Sequence, residues 1–494
     1  MTRRVLVAAT ALFLAGAVAI AVGSRPSRPG AGPNVFVNPV GVIDAYSTPT
    51  VVQNPRQPAE LAAVYRQDRP RFNAQLAWSS DGGARWRTMP LPLPPGTQEA
   101  FFPDAAFGPD GTFYTVFVDL AGRGNVPADL FLVRSADGGR SLSEPVRVAG
   151  ANTFQPRIAV GASGAIYVTW LQVVADPGAR LAGAPVQVVA TMSSDGGRTF
   201  APPVVVSPAG TTPSSPVPAL GPTGGVVIAY QELEATPDGG QATDRSQLVV
   251  SRATTPGSLA FDDPVAVSHV VAHQLSNLFD NMFPSLASSP DGNLYLAWSQ
   301  RRSGGGEQVL LSRSADGGAR WSVPAPISSD AGAIGPIRYL PMLSVAPSGR
   351  LDLAFLAERG GPFADVYLAT SANRGRSFEV SRLSSASFDA RIGPTFGQGL
   401  PADVGSHLGL IASSTGVAAA WTDSRLGTTT TGRQDIVVTQ LSLAHASAFG
   451  RPATIGGIAL AVGAVGLLLV AGVRGRGARE EPPGRGPGGS SGSG

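Results

Sequence analysis

The residues best equipped for chemistry in this chain follow seven evenly spaced aromatics: Tyr65, Phe117, Trp170, Tyr230, Trp298, Phe355 and Trp421. Two residues after each stand Gln67, Asp119, Gln172, Glu232, Gln300, Ala357 and Asp423. Four residues after it stand Arg69, Arg302, Arg359 and Arg425. Trp421-Thr422-Asp423-Ser424-Arg425 is the clearest copy. Carboxylates, amides and guanidinium groups on a shared spacing suit recognition, because an Arg fork holds a carboxylate or phosphate through two parallel bonds. The candidate ligand ring is therefore Arg69, Asp119, Glu232, Arg302, Arg359, Asp423 and Arg425, with an anionic or sugar-like guest. The other reading is that Asp423 and Arg425, or Arg302 and an acid of the next repeat, pair with one another and lock the fold. An exposed pair of that kind contributes only about 0–1 kcal/mol. Trp170, Trp298 and Trp421 read most simply as core.

Composition excludes several other chemistries. The chain has no Cys, so it offers no disulfide framework and no thiolate nucleophile or metal ligand. Its four His, at 269, 273, 407 and 445, are scattered and suggest no metal centre, and no cofactor is expected. No Lys occurs, and the formal net charge of +3 is close to neutral for 494 residues, which argues against a nucleic-acid partner. The 62 Gly and 43 Pro follow no collagen-like period, which fits a turn-rich, folded all-β body.

The elements that must position these residues repeat. From Tyr65 to Trp421 the mean spacing of the aromatics is about 59 residues, the length of a four-stranded propeller blade with its turns. A Pro stands eight residues before a Gly at Pro103/Gly111, Pro156/Gly164, Pro216/Gly224, Pro284/Gly292 and Pro341/Gly349. This reads as an inner strand that enters from a Pro and ends in a Gly turn. Outer strands begin with Pro-Val at Pro145, Pro203 and Pro264. The seventh unit lacks an outer strand, while Pro39-Val40-Gly41-Val42 stands alone near the N-terminus. That segment is expected to complete the last blade and remove a free sheet edge.

A third signal is Ser-x-Asp-x-Gly-x-x-aromatic. It occurs as Ser79-Asp81-Gly83-Trp86, Ser193-Asp195-Gly197-Phe200 and Ser314-Asp316-Gly318-Trp321. Ser135-Asp137-Gly139-Leu142 lacks the aromatic, and Ser371-Asn373-Gly375-Phe378 has Asn for Asp. The carboxylate can accept backbone N–H bonds inside a tight turn, and the Gly can take positive φ. Asp81, Asp137, Asp195, Asp316 and Asn373 are thus structural. Blade four keeps only a remnant, Ser251 to Phe261.

These motifs resemble the Asp box of the sialidase-like (BNR-repeat) β-propellers, over about residues 34–445. The resemblance implies an all-β propeller. The aromatic count points to seven four-stranded blades, with six, as in classical sialidases, the alternative. Sialidases of this type carry an arginine triad, a Tyr nucleophile activated by a Glu, and an Asp acid/base. The first of those arginines sits in a Phe-Arg-Ile-Pro-like segment, and the matching Thr50-Val51-Val52-Gln53-Asn54-Pro55 has no Arg. The fold carries over and the active site does not, so no catalytic residue is assigned. The boxes join strands three and four, which puts them on one face. The loops after the aromatics join strands two and three and crowd the opposite face.

Both chain ends suggest a membrane. Arg3 and Arg4 precede the apolar run Val5 to Val22, which reads as a signal peptide or N-terminal anchor over residues 1–24, followed by a Pro/Gly linker over 25–33. Ile455 to Val473 is uncharged and long enough to cross a hydrocarbon core of roughly 30 Å. Arg474, Arg476 and Arg479 follow, which places the tail 474–494 in the cytoplasm and the propeller outside. The expected organisation is a propeller over 34–445, a transmembrane helix over 453–473 and a disordered tail. Two functions fit: a binding or scaffold module for a glycan, cell-wall polymer or protein on the 2–3 loop face, or a membrane-tethered exo-glycosidase with a diverged site.

Overall fold

The computed structural model describes residues 31–443 apart from residues 40, 122–125, 175–183, 236–240, 271–282, 303–304, 328–333 and 396–401. The proposed signal segment, transmembrane run and tail therefore lie outside the described residues. Among the described residues, no helix is long and apolar enough to cross a membrane.

The chain forms seven antiparallel sheets, each built on four strands, which settles the blade count at seven. Blade one runs Ala45–Gln53, Leu61–Arg69, Asn73–Ser79 and Arg87–Pro90 from the axis outwards. The later blades repeat this order, and blade six gains a short fifth strand, Phe388–Asp389. Each counted aromatic lies on a second strand and is at most 1% exposed. The core is a set of layers between neighbouring blades: Phe117 with Val64 and Leu76, Trp170 with Leu132, Trp298 with Leu248, Trp421 with Leu368. Emptying one of these aromatic sites to Ala would cost about 3–5 kcal/mol.

The ring closes through the N-terminus, four residues earlier than the sequence suggested. The outer strand of blade seven is Val35–Phe36, paired with Val438 and Val437 on Asp435–Ser442. Pro39, Gly41 and Val42 lie outside it, and Val42 is 75% exposed. The physical reason lies at Asn38, whose Oδ1 accepts the Ile436 N–H at 2.6 Å and whose Nδ2 donates to Asp435 at 2.9 Å. This side chain takes the place of further ladder bonds and ends the strand, so the chain is free to turn towards blade one.

Each Asp box wedges against the preceding blade. In box one, Ser79 donates to Asp81 at 2.8 Å, the Gly83 N–H donates to Ser79, and the Arg85 N–H donates to Asp81 at 2.9 Å. Boxes two, three, five and six repeat the Ser-to-Asp (or Asn373) bond. Gly197 has φ +76°, and a Cβ there would lie 2.8 Å from Leu132 of blade two. Glycine is thus needed for both the turn and the inter-blade contact. In blade four the remnant turn is tied instead by the Gly257 N–H to Tyr167 Oη at 2.8 Å.

The inner strands carry a shared irregularity. The expected Pro lies inside the strand in blades two, three, four and six, not at its start. The residue before it takes positive φ at Phe102 (+51°), Gln155 (+47°), Ser215 (+52°) and Leu340 (+50°), and so does Thr48 (+57°), before Pro49 of blade one. At each of these the ladder to strand two slips, as between Phe154 and Arg157. Positive φ is unusual for such residues, and held strain of this kind clusters at functional sites.

Candidate functional site on the propeller axis

Four of the five bulges converge. Thr48, Phe102, Gln155 and Ser215 line one axial cavity with Phe283, Ser406 and His407, so six blades contribute to it. The enclosed space is about 20 Å³, enough for a water-sized group.

Arg157, two residues beyond Gln155, holds the charge at this cavity. Its guanidinium approaches Asp104 at 3.5 Å and donates to His407 Nδ1 at 2.9 Å. Thr50 donates its hydroxyl proton to Asp104 at 2.8 Å, and its oxygen lies 3.0 Å from His407 Nε2. Arg157 also lies 3.2 Å from Nε2 and Ser406 3.1 Å from Nδ1, so both ring nitrogens are engaged. Burial, with Arg157 and Arg66 beside it, holds His407 well below its ordinary pKa, so the ring stays neutral. Asp104 also accepts the Ile158 N–H at 3.0 Å. Arg157 is therefore positioned from two sides, while 16% of its side chain remains exposed.

A second cluster supports the first. Arg66, 1% exposed, pairs with Asp68 on its own strand and with Asp403 at 2.7 Å. It also stacks over Phe101, 4.6 Å from the ring centre. Ser47 donates to Asp68 at 2.7 Å, and the Gly405 N–H donates to Asp403 at 2.7 Å. Burial pushes the Asp68 carboxyl up despite Arg66. Such an arrangement fixes geometry more than it adds stability.

One polar side chain stands out. Gln155 is 7% exposed, and neither Oε1 nor Nε2 has a hydrogen-bond partner. Buried amides are nearly always bonded to protein or water, so this one offers two donors and an acceptor to whatever enters the cavity.

The ring read from the sequence does not line this cavity. Trp421 Nε1 donates to Asp423 at 2.8 Å, as Trp170 does to Gln172 at 3.1 Å and Trp298 to Gln300 at 3.3 Å. The polar residue two beyond each Trp thus serves its buried indole. Arg425 clamps Asp423 at 2.6 Å and reaches Asn34 at 3.1 Å and Ser385 at 2.8 Å. Asp423 and Arg425 are the one pair of the ring that the structure joins, and they pin the N-terminal segment. Arg69 donates to the Gly432 carbonyl, and Arg359, exposed, to Tyr367. Arg302 is exposed. Asp119 accepts from Thr97 and the Asp129 N–H, and Glu232 from Gln247.

A Tyr–Glu pair is present away from the cavity, where Tyr339 donates to Glu358 at 2.7 Å. Burial and then Glu358 push this hydroxyl far up, which keeps it protonated and poorly nucleophilic. At the Asp-box end a larger cleft of about 960 Å³ is lined by blades six, seven, one and two, with no charged residue among the described lining.

The axial residues were missed because each blade supplies a different type. The one common signal is the position just before the inner-strand Pro.

The protein is thus a seven-bladed β-propeller with a polar site on its axis. No protein-family description matches the chain, and no curated protein matches it. Among solved structures, an ulvan lyase of polysaccharide lyase family PL25 is similar, with a TM-score of 0.51 at 11% identity, covering 84% of this chain and 96% of that one. A protein of unknown function from Dyadobacter fermentans has a TM-score of 0.48 at 14% identity over 84% and 98%. The Hadza microbial sialidase Hz136 has 0.42 at 16% identity over 69% and 66%. Structural neighbours thus include sialidases and other propeller glycoside hydrolases and lyases at low identity.

Proposed function

We propose that this chain is a membrane-anchored, extracytoplasmic propeller that binds a saccharide at its axial mouth. The observation that carries this reading is the convergence of Gln155, Arg157, Ser215 and His407 on one cavity ringed by Phe102, Phe283 and prolines. Ligand sites are concave and mostly apolar, with a few fixed polar groups that orient the guest. An ulvan lyase of the same fold has been solved with -[GlcA(1-4)Rha3S]- bound, which names a chemical class to screen.

The anchor rests on the two apolar runs of the sequence. Strand three of blade seven runs towards the Asp-box face and ends at Leu443, and Gly32 lies beside Gln440 at the same end. The described segment therefore begins and ends at the Asp-box face.

The test uses the full chain in lipid nanodiscs, probed with a glycan array and fluorogenic glycosides. Binding to defined saccharides that Arg157→Ala abolishes supports the proposal. Turnover would assign a glycosidase instead, and binding unaltered by Arg157→Ala would move the site elsewhere. Protease added outside intact cells should digest the propeller and spare the tail.

A further inference from the structure

We infer that the axial site takes an uncharged end group of a saccharide, inserted end-on and held by Gln155. This rests on the saccharide-binding reading above and narrows it to one ligand class and one mode of entry.

Three observations carry it. The first is the amide. Gln155 presents two donors and an acceptor, all unmet, with its backbone held at φ +47°. A hydroxyl or a carboxamide meets both needs at once, because each donates and accepts. A carboxylate or sulfate can only accept and would leave the Gln155 oxygen unmet.

The second is charge. The guanidinium groups of Arg66 and Arg157 face the carboxylates of Asp68, Asp104 and Asp403, with His407 neutral. The cluster therefore has no surplus positive charge to draw in an anion. This departs from the anionic guest that the sequence pattern of arginines favoured.

The third is size. The enclosed volume of about 20 Å³ admits a water-sized tip, such as a hydroxymethyl or amide group, but not a pyranose ring. The ring would stay outside, because Phe102 and Phe283 at the cavity are each only 6% exposed. A polymer then binds by its terminus and not along its length.

The experiment is calorimetric titration of the full chain in nanodiscs. The probes are neutral N-acetylated oligosaccharides and uronic-acid oligosaccharides of equal length, each as tetramer and as long polymer. Neutral probes should bind more tightly, affinity should follow the molar concentration of chain ends, and Gln155→Leu should weaken binding at least tenfold without lowering the melting midpoint. Should Gln155→Leu fail to fold, Gln155→Asn, one methylene shorter, reads the same loss. Tighter binding of the acidic series, or affinity that follows polymer mass, overturns the inference and leaves the saccharide reading intact. Unchanged affinity in Gln155→Leu also overturns it, as expected if a buried water serves the amide. Binding of no saccharide at all overturns both.

Discussion

The guanidinium of Arg66, on the second strand of blade one, lies 2.7 Å from Asp403, which enters blade seven. The first and last blades are thus joined at two radii. Val35–Phe36 joins them to the N-terminus at the rim, and Arg66 ties them at the axis. The residues that close the ring at its centre also border the site.

Arg66→Leu should lower unfolding stability by about 3–5 kcal/mol, because it leaves Asp68 and Asp403 buried without their cation. Adding Asp68→Asn and Asp403→Asn should recover part of the loss. Urea denaturation measures both, and an unchanged midpoint in the single variant would contradict the buried-pair account.

The rim seam has its own test. Asn38→Ala removes the bonds to Ile436 and Asp435 and should cost about 1–3 kcal/mol. Val42→Ser, at a site 75% exposed, should stay within about 0.5 kcal/mol. Equal effects would mean that the closing strand lies where the sequence first suggested.

Gly197→Ala and Gly164→Ala separate turn strain from blade packing. Both glycines have positive φ, +76° and +83°. Only Gly197 has a neighbour in the way, Leu132 at 2.8 Å, whereas nothing lies within 4 Å of Gly164. Gly164→Ala should lower stability by about 1 kcal/mol, and Gly197→Ala by at least about 1 kcal/mol more. Matching losses in thermal melts would argue that the Asp box is a turn device alone.

The propeller was legible in the sequence because its devices repeat. Seven aromatics on second strands and five boxes each recur in register, since every blade must pack against the next in the same way. The site was not legible for the opposite reason. Asp104, Arg157 and His407 come from three blades, and only the curvature of the ring brings them together. The spacing that looked like a ligand ring has a structural cause at three copies, where Gln172, Gln300 and Asp423 accept an indole N–H. The misplaced closing strand has a local cause as well. Pro-Val marks outer strands elsewhere, but the Asn38 side chain ends the pairing before Pro39.

Stability should depend on pH through His407. Its folded pKa is held well below the usual value, so the unfolded chain binds the extra proton first. Stability is then full above about pH 7 and falls as the pH drops through about 6.5, at up to about 1.4 kcal/mol per unit. His407→Gln should flatten this slope in urea melts between pH 7 and 5. A slope that persists unchanged would place its origin in other groups.

Where a ligand lands decides between the axial cavity and the other faces of the propeller. Backbone hydrogen exchange of the full chain in nanodiscs, with and without the tightest neutral oligosaccharide found on the array, reads this directly. The axial account predicts ligand protection around Gln155–Ile158, Ser215–Val217 and Gly405–Leu408. Protection confined to the Asp-box turns, or to Asp423–Arg425 with the axial segments unchanged, would contradict it.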